Sequence, residues 1–286
     1  MKSRERPRHR PRWPDGASCV VAITLDWDGT SVELDDRLLP LGVHSHGRYA
    51  AKCGIPRYLE IFRRHQIAAT VFVPGYDAER NADLVREVAL AGHEIAAHGY
   101  QHEGRDMGRQ EPALLLKTHE ILTSITGRRP QGWRAPSGRK SALTVQTLRR
   151  LGYRYDSSEK DHDLPYLACV EETVFDDYLV IPNNTSSLDD YPLFEVSSTP
   201  PSEVLAHWKQ EFDAIYSENG FFNLTIHPRN GYGSGSPARA RIVSELITHI
   251  KQFDGVRFLR LIDLAEWCLS DVSQWRLERG SALVEA

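Results

Sequence analysis

Short apolar runs alternate along this chain with amphipathic helical patterns, and that alternation limits the fold before any single residue is weighed. Segments 20–25, 69–73, 94–97, 179–182, 221–226 and 258–261 read as buried strands, with weaker candidates near Trp133 and Tyr153. Between them, apolar residues recur at three- and four-residue spacing over 55–65, 83–91, 111–126, 141–151, 202–218, 237–253 and 262–269, which predicts helices. Gly92, Gly127 and Gly152 fall just past three of these helices, where a left-handed cap is wanted. Such alternation implies parallel strands joined by crossover helices, either closed into a barrel or left as an open sheet. No repeat and no linker-like shift in composition interrupts the pattern. A single α/β domain is therefore expected over 18–270, with 158–202, rich in Asp, Pro and Asn, as an irregular insertion.

The formal net charge of −4 is unevenly spread. Lys2, Arg4, Arg6, Arg8, Arg10 and Arg12 stand against Glu5, so residues 1–17 read as a basic, solvated extension. That segment has neither aromatics interleaved for base stacking nor an apolar face, and no nucleic-acid partner is expected. Residues 271–286 read as a C-terminal tail. Trp13-Pro14-Asp15-Gly16 follows the basic start where a signal peptide would carry its apolar core, and no apolar run approaches about 18 residues. No membrane partner and a cytoplasmic location are the expectation. Cys19, Cys53, Cys169 and Cys268 are too scattered for a disulfide framework or for paired metal spacing.

The polar residues that end the apolar runs carry the chemistry. Thr24-Leu25-Asp26-Trp27-Asp28-Gly29 closes one strand with two carboxylates, and His98-Gly99-Tyr100-Gln101-His102 follows another. Parallel strands bring their C-terminal ends to one face, so the two motifs converge there. Two imidazoles and one carboxylate form the ligand set of a catalytic zinc site with one position open, and the second carboxylate is left for acid–base work. Trp133-Arg134-Ala135-Pro136-Ser137-Gly138 places an arginine at a strand end, where it can hold a carboxylate ionised or serve a structural salt bridge. In Thr225-Ile226-His227-Pro228, His227 emerges from an apolar run at the same face, with a side chain suited to protonating a leaving amine.

The ordered set Asp-x-Asp-Gly, His-x-x-x-His, Arg-x-Pro-x-Gly and Leu-x-Ile-His-Pro resembles the polysaccharide deacetylase superfamily with the NodB homology domain, over nearly the whole chain. The resemblance implies a distorted (β/α) barrel of seven to eight parallel strands that hydrolyses non-peptide C–N bonds with a divalent metal. Zinc is the first expectation, with cobalt, nickel or manganese as further possibilities. It further implies that Asp28, His98 and His102 hold the metal, that Asp26 is the general base oriented by Arg134, and that His227 is the general acid. The family's acid histidine is supported by an aspartate, for which Asp163 is the match taken here. Gly47-Arg48-Tyr49, Val71-Phe72-Val73-Pro74-Gly75, Tyr155-Asp156-Ser157-Ser158 and Leu188-Asp189-Asp190-Tyr191-Pro192 resemble cytoplasmic members, among them PuuE-type allantoinases, cyclic imidases and Helicobacter-type peptidoglycan deacetylases.

The resemblance implies a small-molecule or sugar amide as substrate. Phe175, Tyr178, Tyr191 and Phe194, within the insertion, are expected either to wall a pocket for it or to anchor the insertion to the barrel. The same branch implies a closed homo-oligomer, a tetramer or dimer. Light scattering at micromolar concentration is expected to return a multiple of the chain mass, and a monomer there would remove this expectation.

Overall fold

The computed structural model describes residues 11–276, apart from Ala142 and Glu171. Nine strands form one sheet: β1 (Cys19–Asp26), β2 (Thr70–Val73), β3 (Glu94–Ala97), β4 (Gly132–Trp133), β5 (Tyr155–Asp156), β6 (Tyr166–Val170), β7 (Thr173–Val180), β8 (Phe221–Ile226) and β9 (Val256–Phe258). They run in the order β6-β7-β5-β4-β3-β2-β1-β8, with β9 pairing the first half of β1. Every pairing is parallel except the β6–β7 hairpin. This curled, mostly parallel half-barrel is the α/β architecture that the alternating pattern implies.

All eight residues of β1 are buried, as a strand covered on both faces requires. Helix Ile55–His65 shows how the flanking helices dock: Ile55, Tyr58, Ile61 and Phe62 form its buried stripe, while Arg63, Arg64 and His65 occupy the last turn. Gly92, Gly127 and Gly152 all adopt positive φ at the predicted helix ends.

The sheet does not close strand to strand. The chain leaving β7 runs beside β8 instead. Asn223 Nδ2 donates to the Pro182 carbonyl at 2.8 Å, Thr225 Oγ1 to Asn183 Oδ1 at 2.8 Å, and the Thr225 N–H to the Leu188 carbonyl at 2.8 Å. A single parallel bridge joins Asp189 to Thr225.

Three expectations need correction. The insertion over 158–202 is not wholly irregular, for it contains β6 and β7; their hairpin turns at Glu172, a non-glycine residue at φ 64° without the usual turn signature. The strand expected over 258–261 ends at Phe258, and helix Leu261–Ser270 begins where it was to finish. The Leu261 N–H donates to Thr70 Oγ1 at 2.8 Å and the Ile262 N–H to Glu94 Oε2 at 3.0 Å, so the helix is capped from strands far away in sequence.

The third correction concerns the ends. Residues 1–10 and 277–286 lie outside the described region, but 11–17 and 271–276 are packed on the body. Trp13 is buried, stacks at a tilt on Trp275 at 5.6 Å, and donates its indole N–H to the Asn219 carbonyl at 2.8 Å. The apolar indole wins over the basic run in which it stands.

At the opposite end of the sheet, Glu94 is buried and accepts from the hydroxyls of Thr70 (2.7 Å) and Tyr155 (2.8 Å). Burial pushes its carboxyl up to about 7, against these donors, the Ile262 N–H and Arg260. The folded protein thus holds this proton more tightly than the unfolded chain. Its contribution is full below the ordinary glutamate value and is lost as pH rises through about 7, at about 1.4 kcal/mol per pH unit between the two. Urea midpoints at pH 5 and pH 8 check this: Glu94→Gln should gain on the parent at the higher pH, and an equal difference at both pH values would contradict the assignment.

Candidate metal centre and active-site cavity

The end of β1 and the turn after it bring the two carboxylates together. β1 stops at Asp26, Trp27 turns into the core, and Asp28, just past the strand, lines the same cavity as Asp26. The Asp28 N–H donates to the Asp26 carbonyl at 2.8 Å and tightens the turn. The histidines need more help. Gly99 at φ 67° and His102 at φ 56° bend the loop back, and Glu103 holds it by accepting from the N–H groups of Tyr100 (3.0 Å) and Gln101 (2.8 Å). A Cβ at Gly99 would meet Glu103 Oε2 at 2.6 Å, so only glycine fits.

The result is a cluster in which Asp28 Oδ1 lies 3.6 Å from His98 Nε2 and 3.3 Å from His102 Nε2. A tetrahedral zinc ion with bonds near 2.0–2.1 Å holds its ligand atoms about 3.3 Å apart, so this spacing fits. His98 Nδ1 is matched to the Arg134 carbonyl at 2.9 Å, which leaves Nε2 free for an ion. Asp28 Oδ1 is buried and has no hydrogen-bond partner among the described residues. A buried carboxylate oxygen with no other partner, set between two imidazoles, suits the donor set of a divalent cation. Burial acts to raise the Asp28 carboxyl, yet His102, His227 and His98 together hold it well below the usual range.

Asp26 lies beside this cluster, with Oδ2 at 4.0 Å from His98 Nε2, and its other oxygen receives Arg134 NH1 at 2.6 Å. Arg134 is itself 2% exposed and fully engaged. Its Nε and NH2 donate to the Ser157 carbonyl and hydroxyl, both at 3.0 Å, and NH1 also meets Thr24 Oγ1 at 3.0 Å. The guanidinium also covers the Phe72 ring at 4.2 Å.

On the opposite side, His227 at the end of β8 presents Nε2 at 3.7 Å from Asp28 Oδ2. Asp190 sits 2.5 Å from His227 Nδ1 and accepts the backbone N–H groups of His227 (2.9 Å) and Ser234 (2.8 Å). Burial opposes the charged imidazole, but Asp190 overrides it, with Asp28 and Asp189 adding, and the ring is raised to about 10. Asp189 lies 3.8 Å from the same nitrogen; burial lifts its carboxyl to about 7 against the pull of His227, with Asp190 adding to the rise.

Asp163, the expected partner of His227, is instead exposed in the turn before β6. Asp190 takes that position because the seam along β8 delivers it there, a contact that local spacing does not announce. The other six expected site residues, Asp26, Asp28, His98, His102, Arg134 and His227, line one cavity of about 600 Å³. Tyr191 lines it too, but Tyr178 and Phe194 are buried in the core and Phe175 packs under Arg149. The anchoring alternative therefore holds for three of the four aromatics. Lys160, Asn183, Asp189 and Tyr232 line the cavity without having been expected.

Asp28, His98 and His102 at the strand ends of this curled parallel sheet form a group that could hold a metal ion, and comparison with known proteins gives the family. The chain belongs to the polysaccharide deacetylase family: the family's model matches residues 21–155. The peptidoglycan deacetylase of Helicobacter pylori is 30% identical over 254 residues, covering 78% of this chain and 86% of that protein. Among solved structures, one described as a polysaccharide deacetylase from Mycobacterium smegmatis superposes with a TM-score of 0.81 at 32% identity, over 96% of this chain and 99% of that one. PuuE allantoinase gives a TM-score of 0.79 at 26% identity, over 94% and 96%.

Replacing Asp190 by Asn removes the charge that raises His227. The imidazole pKa should fall, so the basic limb of the kcat–pH profile should move to lower pH, with kcat at pH 8 reduced at least about tenfold. An unmoved basic limb would show that Asp190 does not tune the acid.

Proposed function

We propose that this chain is a metal-dependent hydrolase of a non-peptide C–N bond, acting on a small cytoplasmic amide, cyclic imide or ureide. One observation carries the reading: an orphaned Asp28 oxygen between His98 and His102 is flanked by a carboxylate pinned to arginine and an imidazole pinned to aspartate. A pure binding site needs no such pair. The cavity of about 600 Å³ suits a small ligand, and the likeness to PuuE allantoinase supports that choice. The likeness to a peptidoglycan deacetylase favours a second reading, deacetylation of an N-acetylated polysaccharide.

Asp28, His98 and His102 would hold the ion, zinc by donor type, with cobalt, nickel or manganese able to take the same nitrogen and oxygen donors. When bound, it supplies Lewis-acid activation of water and of the substrate carbonyl. Asp26 accepts the proton of the attacking water, and Arg134, 2.6 Å from its other oxygen, keeps that carboxylate aimed. The left-handed turn at Ser137, φ 51°, brings backbone to the cavity wall where charge grows on the carbonyl oxygen. His227, kept cationic by Asp190, gives its Nε2 proton to the departing nitrogen.

Chelation should abolish activity and zinc or cobalt should restore it. His98→Ala and His102→Ala should lose the metal by elemental analysis, whereas Asp26→Asn should keep it and lose at least about a hundredfold in kcat. Full metal content in both histidine variants would overturn the ligand set. Among substrates, turnover of succinimide or allantoin with little action on chitin oligomers is expected; the reverse pattern would give the second reading.

A further inference from the structure

The two oxygens of Asp28 live in different surroundings. Oδ1 faces His98 and His102 and has no hydrogen-bond partner among the described residues. Oδ2 accepts the hydroxyl of Tyr232, a residue in the loop after β8 that belongs to none of the sequence motifs. The Tyr232 ring is held on three sides: edge-on to His227 at 5.3 Å, edge-on to Tyr191 at 5.0 Å, and under the Arg229 guanidinium at 4.5 Å.

Arg229 in turn is fixed. It is 3% exposed, pairs with the buried carboxylate of Glu33, and donates NH1 to the Tyr232 hydroxyl at 3.2 Å and to the Asp28 carbonyl at 3.4 Å. Glu33 accepts the Gly47 N–H at 3.2 Å. A buried ion pair costs desolvation free energy, so its presence beside the site asks for a structural return. Because arginine has only donors, the Tyr232 oxygen must accept from Arg229. Its single proton is then left to point at Asp28.

We propose that Tyr232, set by the Arg229–Glu33 pair, is a positioning residue that occupies Asp28 Oδ2 and so commits Asp28 to bind the ion through Oδ1 alone. This rests on the metal reading above. Without the hydroxyl, the carboxylate is free to rotate or to offer both oxygens, and Oδ2 is left opposite His227. Partners of this kind, one bond removed from a metal, commonly change its affinity 10- to 100-fold.

The test uses the full chain, its Tyr232→Phe variant and its Arg229→Lys variant. Zinc affinity is measured by competition with a chromophoric chelator, and ligand geometry by the visible spectrum of the cobalt-loaded protein. Tyr232→Phe keeps the ring and its packing, so an unchanged far-UV circular dichroism spectrum is expected. Its zinc dissociation constant should rise about 10- to 100-fold, and its cobalt bands should weaken as coordination expands. Arg229→Lys keeps a charge opposite Glu33 but loses the forked donors, and should shift both readouts the same way by less. Unchanged affinity and cobalt spectrum in Tyr232→Phe, with the parent binding zinc, would overturn this inference alone. A parent that binds no zinc would overturn the metal reading and this inference with it.

Discussion

One buried guanidinium ties the rim of the sheet together. Arg134 leaves the end of β4 and touches Thr24 and Asp26 of β1, Thr225 of β8 and Ser157 just after β5, while lying on Phe72 of β2. The strand ends that carry the chemistry thus converge on a single cation. A buried arginine is tolerated only when its donors are satisfied, and here the satisfaction comes from several strands at once. The demand for partners fixes how the strands are arranged at this face, and the same partners include the proposed base. Fold and reactivity therefore share one constraint.

Around that cation the charges are separated by function. Asp26 has an arginine, Asp28 has His98, His102 and a tyrosine, and His227 has Asp189 and Asp190 on one side and Asp28 on the other. The Asp28 carboxylate is kept ionised and the imidazole of His227 is kept protonated, although burial opposes both. Titratable groups pushed apart in this way can hold acid and base side by side at one pH.

What could be read from the sequence was what is local. Asp26, His98 and His227 each stand at the end of an apolar run, and a buried parallel strand that stops at a polar residue must present it at the strand-end face; Asp28 lies in the turn just past β1 and Arg134 just past the two-residue β4. His102 followed from its spacing to His98. The features that escaped depend on contacts between distant segments. Asp190 reaches His227 only because the Asp189–Thr225 bridge sets the seam, while Asp163, nearer to the expected motif, ends in solvent. Tyr232 has no periodicity or motif to mark it. Helix Leu261–Ser270 starts where Thr70 and Glu94 cap it, and Trp13 folds down onto Trp275 despite its basic neighbours. Hydrophobic patterning encodes layers and directions; caps, seams and ion partners are settled by tertiary geometry.

The seam beside β8 gives the molecule a weak line in a chosen place. A continuous ladder would have shut the sheet there; instead a few side-chain and main-chain hydrogen bonds and one bridge hold residues 182–190 against the strand. The two aspartates that charge His227 ride on that segment. Local opening draws on the stability of the contacts involved and not on that of the whole domain. A brief parting of the seam would therefore draw Asp189 and Asp190 away from His227 while leaving Asp28, His98 and His102 in place. The proton-donating role proposed for His227 thus depends on the tightness of this one join, whereas the proposed ion ligands do not touch it.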